Sequence, residues 1–178
     1  GLPNRTRLKE FLDARLKAAT TAAHPLVMLS LNLDRFKPVN DLLGHAAGDR
    51  VLHEVSSRLS ACVRHGDLVA RVGGDEFVLL LTDVACEAEV EALCRRVIDS
   101  IESAISIDDQ EAFVSASIGI AMAPTDACEA QALLRYADIA LYEAKAAGRN
   151  TWRFYAIDMN ARIIERRPIR KRVKLAAD

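Results

Sequence analysis

The sequence has no long hydrophobic run and almost no net charge, and each absence argues against a class of protein. No uninterrupted apolar run is long enough to span a bilayer, and no signal peptide opens the chain. The formal net charge is −1, so no overall field attracts nucleic acid or an anionic membrane surface. We therefore expect a domain that contacts neither nucleic acid nor membrane.

The sequence also lacks a cysteine framework. Its four cysteines, Cys62, Cys86, Cys94 and Cys128, form no Cys-x-x-Cys pair and have no histidine at zinc-ligand spacing. They are typical of small buried residues in a reducing compartment. This pattern favours a cytoplasmic domain, within a parent protein that is free to carry a membrane anchor elsewhere.

The chain of 178 residues suits one domain with one sizeable core. The stretch from residue 165 to residue 174 is strongly basic. Pro168 interrupts this stretch and no aromatic residue is interleaved for base stacking, which favours a solvated linker over a nucleic-acid site. We expect a folded domain over residues 1–155 and a basic linker or helical tail over residues 156–178.

The spacing of apolar residues predicts alternating helices and strands. Helices are predicted at 8–19, 51–62, 90–101 and 130–147, with Gly148 as a cap, and strands at 26–33, 68–72, 77–81, 113–122 and 151–155. The segment 34–44 reads as short and turn-rich. Two predicted strands flank Gly73-Gly74, whose glycines suit the positive φ angles of a tight hairpin. A hairpin inside an alternating pattern predicts an α+β fold with a mixed sheet.

Polar residues occur in three places where they would be unfavourable if buried in a packed core. Asn32 and Asp34 share one face at the end of the first strand, because side chains alternate along a strand. Asp75 and Glu76 stand at the tip of the glycine hairpin. Carboxylates gathered on adjacent strand ends suit Mg²⁺, which prefers a few carboxylates together with phosphate oxygens.

The third place is the end of the last helix, where Lys145 and Arg149 lie one turn apart. A lysine and an arginine suit polyphosphate. The three places together point to metal-assisted nucleotide chemistry. The alternative for the hairpin taken by itself is a well-formed turn with solvated acids.

The surrounding segments decide between these alternatives, because they resemble the GGDEF family in order and spacing. The likeness is carried by Leu2–Arg5, Asp34–Asp41, Gly44-His45, Gly48-Asp49, Arg71–Phe77 and Ala140–Asn150. The sequence is identified as a member of this family from its start to about Tyr155.

The resemblance implies a diguanylate cyclase. Such a domain has a mostly antiparallel five-stranded sheet of the nucleotidyl cyclase and polymerase-palm type, with a ferredoxin-like arrangement. Two GTP-bound subunits meet as a homodimer, each 3′-hydroxyl attacks the other α-phosphate, and cyclic di-GMP and pyrophosphate are released. Mg²⁺, or Mn²⁺ in its place, is the implied cofactor.

The resemblance also implies roles for individual residues. Asn40 and Asp49 would recognise guanine. A carboxylate can accept hydrogen bonds from the guanine N1–H and 2-amino groups, and an amide can bond to the edge of the base. Asp75 would ligate the metal together with Asn32 and Leu33, and Glu76 would assist with metal or proton handling. Lys37, Lys145 and Arg149 would hold the phosphates and the leaving pyrophosphate. Gly73 and Gly74 would pass close to the phosphates, and Phe36 is a further implied substrate-binding residue.

One residue departs from the family pattern. The family has aspartate where this chain has Asn32, so a bound Mg²⁺ loses one negative charge from its shell. Asp34 on the same strand face is the group that would compensate. The alternatives are therefore an active cyclase, a regulatory module that binds GTP or cyclic di-GMP without turnover, or an oligomerisation module, against which the intact Gly-Gly-Asp-Glu-Phe set argues.

A second site is implied by Arg64 and Asp67, which match the family's Arg-x-x-Asp inhibitory motif. An arginine fork grips phosphate or a guanine edge, and an aspartate accepts from guanine. Arg95 falls where some relatives supply a further arginine, although Arg96 stands beside it. The segment 159–167 resembles the linker to an EAL phosphodiesterase domain, so covalently linked EAL and sensor domains are further expected partners.

Overall fold

The computed structural model describes residues 1–18 and 24–160 of the chain. The helices are α1 Arg5–Lys17, α2 Phe36–Leu43, α3 His45–Cys62, α4 Glu87–Glu102 and α5 Ala130–Ala146. The strands are β1 Leu26–Asp34, β2 Leu68–Arg71, β3 Glu76–Leu81, β4 Ile105–Ile107, β5 Gln110–Ala112, β6 Ser115–Ala123 and β7 Trp152–Phe154.

The central sheet has five strands in the order β2-β3-β1-β6-β7. The pairs β2–β3, β3–β1 and β1–β6 are antiparallel, and β6–β7 is parallel. The sheet is therefore mixed and mostly antiparallel, which confirms the predicted α+β class. Strand β1 lies in the middle, so its end is flanked by the β2–β3 hairpin on one side and by β6 on the other.

Helices cover both faces of the sheet, because β1 is apolar on both. Its odd-numbered residues, such as Leu29 and Leu31, join a core with α2, α3 and α4. Its even-numbered residues, such as Met28, join a second core with α1 and α5. Strands buried on both faces are near-continuous apolar runs, as the sequence of β1 shows.

The structure corrects the interpretation of residues 34–44 as turn-rich. Most of that segment is helix α2, which packs Phe36 and Val39 into the core. These residues are three apart and therefore lie on one helical face. Pro38 is tolerated because it stands in the first turn, where a backbone N–H has no partner inside the helix.

The short hairpin β4–β5 was not predicted. It pairs Ile105 with Ala112 and Ile107 with Gln110, and it turns at Asp108, whose φ is 53°. Strands of three residues are too short for an alternation pattern to stand out from a loop.

Capping interactions explain where helix α1 begins and where helix α5 ends. Helix α1 begins three residues earlier than predicted, because the side chain of Asn4 accepts a hydrogen bond from the Arg7 N–H at 3.1 Å. After α5, Gly148 has φ 112°, and the N–H groups of Gly148 and Arg149 donate to Lys145 and Ala144. These paired bonds form a Schellman motif, which confirms Gly148 as the cap.

The chain continues to pack against the domain after β7. Tyr155 stacks on Tyr136 of α5 with ring centroids 4.2 Å apart, and Met159 is buried. The predicted boundary at residue 155 remains a prediction, and residues 161–178 of the predicted tail lie outside the described residues. Within residues 1–18 and 24–160, no helix has the length and apolar character needed to cross a membrane.

Candidate functional site

The tip of the β2–β3 hairpin lies against the end of β1. The backbone N–H of Leu33 donates to the carbonyl oxygen of Asp75 at 3.1 Å, and the Asn32 side-chain amide donates to the same oxygen at 3.4 Å. Asn32 also pairs with Glu76 across the β1–β3 register. The structure thus brings together Asn32, Leu33, Asp75 and Glu76, as the sequence predicted.

The two glycines of the hairpin are needed for reasons other than the predicted one. Neither has a positive φ, so the expected left-handed backbone is wrong. A Cβ on Gly73 would lie 2.9 Å from Oε2 and 3.3 Å from Cβ of Glu76, whereas a Cβ on Gly74 would meet no atom within 4 Å. Gly73 therefore makes room for Glu76, and Gly74 leaves open space at the tip.

Arg71 fixes the backbone of this turn. Its Nε donates to the carbonyl oxygens of Gly73 and Gly74, both at 3.1 Å. The hairpin is further closed by the Val72 N–H, which donates to the Glu76 carbonyl at 3.0 Å. The tip is thus held in one conformation while its carboxylates stay at the surface.

Asp34 lies two residues beyond Asn32 on the same face of β1, but its surroundings differ. Its carboxylate accepts hydrogen bonds from Ser117 Oγ at 2.8 Å, from Ser115 Oγ at 3.3 Å and from the Asn150 N–H at 3.1 Å. Its side chain is only 2% exposed. The Asp34 carboxylate therefore links β1 to β6 and to the loop after α5. These hydrogen bonds argue against the expectation that Asp34 replaces the metal-binding charge that Asn32 lacks.

That loop presents Arg149. The Arg149 Nε lies 3.8 Å from Oδ1 of Asp34, and the arginine side chain is 57% exposed. Arg149 and Asn150 both have positive φ, and the Asn150 side chain donates to Glu102 at the end of α4. Lys145 is partly exposed one turn earlier on α5. Lys145 and Arg149 thus lie at and just after the end of α5, and Arg149 approaches the end of β1.

Helix α2 starts two residues after Asp34, directly beyond the end of β1. The Phe36 side chain is buried at 8% exposure, so Phe36 can offer a ligand its backbone but not its ring. Lys37 is exposed, and the helix start has no side-chain cap. Uncapped N–H groups at a helix start suit phosphate oxygens.

Asn40 and Asp49 lie on consecutive helices that meet at Gly44. A Cβ on Gly48 would overlap Oδ1 of Asn40, so the absence of a side chain at Gly48 gives the Asn40 amide its place. Asp49 is exposed and lines a cleft of about 990 Å³ together with His53, Arg71 and Gly73. One cleft therefore joins Asp49 to the hairpin, and Asn40 packs against Gly48, the residue before Asp49.

The donor set at the hairpin fits Mg²⁺ when phosphate oxygens complete it. Asp75 supplies a carboxylate, Asn32 an amide oxygen and Leu33 a backbone carbonyl. Among the described residues, no group of three or more His, Cys, Asp or Glu side chains is placed to hold a metal. Mg²⁺ typically binds one or two carboxylates plus substrate phosphates, so this site fits a metal that arrives with a nucleotide.

The opposite face of the hairpin borders a second cavity of about 480 Å³ beneath α1 and α5. Its lining includes Glu76, Arg5, Ser30 and Asp138. Partial burial raises the pKa of Asp138, and the Ser30 hydroxyl and the Arg5 charge lower it by smaller amounts. Arg5 also donates to the Val72 carbonyl at 2.8 Å, so this face supports the hairpin.

The expected product site contains two residues with different surroundings. The Asp67 side chain is 4% exposed, and its oxygens accept from the backbone N–H groups of Arg64 and Thr82, each at 3.0 Å. The Arg64 side chain is 57% exposed. Asp67 thus shapes the loop, and Arg64 is the group that faces solvent; their role in product binding remains a prediction.

The structure does not bring Arg95 to this pair within the chain. The Arg95 guanidinium lies 5.4 Å from the ring centroid of Trp152 on β7, which is the opposite edge of the sheet from β2. Arg96 instead donates to the Cys62 carbonyl at 2.8 Å, two residues before Arg64. Arg95 is therefore not a neighbour of Arg64 within one chain, and its part in a product site remains a prediction.

Several residues that shape the site were missed from the sequence. Ser115 and Ser117 hold Asp34, and Arg71 holds the glycine turn. The alternation of the two serines on β6 was the available signal, since residues two apart share a strand face. Their partner lies about eighty residues away in the chain, so local pattern could not identify it.

Comparison with known proteins agrees with this geometry. The family model described as "Diguanylate cyclase, GGDEF domain" matches residues 1–151. The chain belongs to the GGDEF family. This assignment covers all three groups of site residues, from α1 to the loop after α5.

The similar proteins include composite signalling proteins. The bifunctional diguanylate cyclase/cyclic di-GMP phosphodiesterase MucR of Pseudomonas aeruginosa is 41% identical over 160 residues, which are 90% of this chain and 23% of MucR. The cyclic di-GMP phosphodiesterase PdeR of Escherichia coli is 34% identical over 165 residues, 93% of this chain and 24% of PdeR. The chain thus spans about a quarter of the length of these relatives.

Solved structures confirm the fold. The GGDEF domain of TpbB from Pseudomonas aeruginosa superposes with a TM-score of 0.84 at 39% identity, covering 88% of this chain and 98% of that one. The coiled coil and GGDEF domain of DgcB from Caulobacter crescentus, solved in complex with c-di-GMP, gives 0.77 at 25% identity, covering 86% and 81%. The expected cyclase and palm-type sheet is therefore the fold of this chain.

Proposed function

We propose that this domain condenses two molecules of GTP into cyclic di-GMP and pyrophosphate. The observation that carries the proposal is the contact between the hairpin tip and β1, where the Asp75 carbonyl accepts from both Leu33 and Asn32. This contact brings one carboxylate, one amide and an open glycine turn together in space at one end of the sheet. The family membership of the chain supports the same chemistry.

In this proposal the residues of the chain bind, orient and polarise the nucleotide. The amide of Asn40 and the carboxylate of Asp49 bind guanine, whose donors adenine lacks. The N-terminus of α2, Lys37, Lys145 and Arg149 hold the phosphates. Catalysis then rests on positioning and on charge stabilisation around the α-phosphate.

Asp75, Asn32 and the Leu33 carbonyl would hold Mg²⁺, or Mn²⁺ in its place. The metal would neutralise charge on the phosphates and polarise them. Glu76 stands next to Asp75 at the surface, with its carboxylate beside Gly73, where it can accept a proton from an attacking hydroxyl. Two domains must meet for each 3′-hydroxyl to reach the other nucleotide, so the active species is a homodimer.

A second candidate function is a regulatory module that binds GTP or cyclic di-GMP without turnover. The observation that favours it is the Asn32 amide, which donates to the Asp75 carbonyl and offers the metal a neutral oxygen. The names of the relatives include phosphodiesterases as well as cyclases. For such a module, nucleotide binding would persist while product formation is absent.

The experiment that separates these functions is incubation of the concentrated protein with GTP and Mg²⁺, followed by chromatography of the nucleotides. The cyclase proposal predicts cyclic di-GMP and pyrophosphate from GTP and none from ATP. It also predicts a specific rate that rises with protein concentration, because the active species is a dimer. GTP binding without product, in Mg²⁺ and in Mn²⁺, would instead establish the regulatory module.

A further inference from the structure

The exposed arginine of the expected product site is already paired within the chain. Arg64 Nη1 lies 3.1 Å from Oε1 of Glu89, and Arg64 Nη2 donates to the Thr82 carbonyl at 3.1 Å. The Glu89 side chain is 37% exposed. The guanidinium also has Oδ2 of Asp67 at 3.9 Å from its Nε, and the Arg64 side chain is otherwise exposed.

Glu89 is held in this position by the start of α4. Its Oε2 accepts from the Ala85 N–H at 2.9 Å, and its own N–H donates to the Cys86 carbonyl at 3.2 Å. A glutamate at the third helical position commonly reaches back to the N–H groups before the helix, and the helix dipole stabilises its charge. The carboxylate thus joins the beginning of α4 to Arg64.

Asp67 and Glu89 differ in how easily a ligand can replace them. Both Asp67 oxygens bind backbone N–H groups of the loop, and the side chain is almost fully buried. Glu89 meets Arg64 at the surface, where ion pairs are weak. An incoming anion can therefore displace Glu89 from Arg64 without dismantling the loop.

We propose that Glu89 is an internal competitor of the product for Arg64. An arginine fork binds carboxylate and phosphate with the same donors, so the phosphodiester of cyclic di-GMP displaces the Glu89 carboxylate when it binds. The Glu89 charge also repels the anionic ligand. Glu89 then sets the product concentration at which the site fills. This inference rests on the proposed product site of this domain.

The test is calorimetric titration of the whole chain with cyclic di-GMP in wild type and in Glu89→Gln. Glutamine keeps an oxygen for the Ala85 N–H but removes the charge. We expect Kd to fall about threefold to tenfold, which corresponds to the loss of one exposed ion pair and its repulsion of the ligand. Glu87→Gln, an exposed glutamate in the same helical turn, is the matched control and should leave Kd nearly unchanged.

A double-mutant cycle shows whether Glu89 acts through Arg64. In an Arg64→Ala background, Glu89→Gln should tighten binding by less than it does in wild type, because only the repulsion between the Glu89 charge and the ligand is left to remove. If thermal unfolding shows that Glu89→Gln does not fold, Glu89→Asp serves instead, because the shorter side chain withdraws the charge from Arg64.

Each outcome distinguishes the inference from the proposal on which it rests. Binding with an unchanged or higher Kd in Glu89→Gln overturns the inference and leaves the product site intact. A higher Kd would mean that Glu89 orients Arg64 for the ligand. The absence of any cyclic di-GMP binding in wild type and variants overturns both the product site and the role of Glu89.

Discussion

Asp34 and Asp75 are two carboxylates at the same end of the sheet with opposite surroundings. Asp34 is buried and accepts hydrogen bonds from Ser115, Ser117 and Asn150. Asp75 is partly exposed, and among the described residues it contributes its backbone carbonyl to hydrogen bonds while its carboxylate forms none. A carboxylate is thus available for a metal or nucleotide where the fold leaves it without hydrogen-bond donors.

The same comparison explains why the two residues of β1 should not be treated as one acidic pair. Asn32 and Asp34 share a strand face, but the Ser115 and Ser117 hydroxyls of β6 both donate to Asp34, whereas the hairpin lies beside Asn32. Asp34 thus stabilises the loop that carries Arg149, and Asn32 supports the hairpin that carries Asp75. At the end of β1, Asp34 therefore stabilises the fold, whereas Asn32, two residues earlier, supports the candidate site.

The largest effect is expected for Asp75→Asn. This change removes the one carboxylate assigned to the metal, and turnover of GTP should fall at least about 100-fold, as for loss of a group that stabilises transition-state charge. The melting temperature should stay within about 2 °C of wild type, because the carboxylate makes no bond within the described fold. Asp99→Asn on the exposed side of α4 is the control and should retain full activity.

Asp34→Asn should show the reverse pattern. Asparagine offers the Asn150 N–H and the two serine hydroxyls one neutral acceptor oxygen, and its NH2 group is a donor that faces other donors. The free energy of unfolding should therefore fall by about 2–3 kcal/mol. This corresponds to a decrease of about 5–10 °C in Tm, measured by calorimetry. Asp41→Asn on the surface of α2 should change Tm by less than about 2 °C. Equal stability of Asp34→Asn and wild type would break the comparison.

The two hairpin glycines provide a matched pair. In Gly73→Ala the new Cβ would lie 2.9 Å from the Glu76 carboxylate, so Glu76 must shift and turnover should fall about tenfold. In Gly74→Ala the Cβ enters open space, and the unliganded fold should be unaffected in thermal unfolding. If GTP passes close to Gly74, that variant should raise KM more than it lowers kcat. Identical kinetics for the two variants would contradict the assigned difference.

The smallest effect is expected for Asn32→Asp. Restoring a carboxylate adds one negative charge to the metal shell, so the Mg²⁺ concentration for half-maximal rate should fall about threefold to tenfold. Asn32→Ser, which adds no charge, is the control. An unchanged Mg²⁺ requirement in Asn32→Asp would show that water or phosphate already completes the shell.

The sequence was informative where local pattern determines structure. The apolar spacing of α1, α3, α4 and α5 and the continuous apolar run of β1 predicted most elements. Helix α2 was missed because Pro38 and its polar residues resemble a turn, although Phe36 and Val39 pack inward.

The residues of the candidate site could be predicted from the sequence. The sequence did not show which of them stabilise the fold and which remain available to a ligand. The alternation of Asn32 and Asp34 correctly put them on one face. Their different partners depend on contacts with β3 and β6 that lie over forty and eighty residues away. Likewise, the orientation of Arg95 toward Trp152 depends on how α4 crosses the sheet, which local spacing does not specify.

The most direct test of the central claim is a parallel incubation of wild type and Asp75→Asn with radiolabelled GTP and Mg²⁺ at high protein concentration. We expect labelled cyclic di-GMP from wild type and none above background from Asp75→Asn, with thermal unfolding curves showing that both proteins are folded. Equal product from the two proteins would contradict the assignment of the hairpin tip as the catalytic site. No product from a folded wild type that binds GTP would contradict the cyclase function itself.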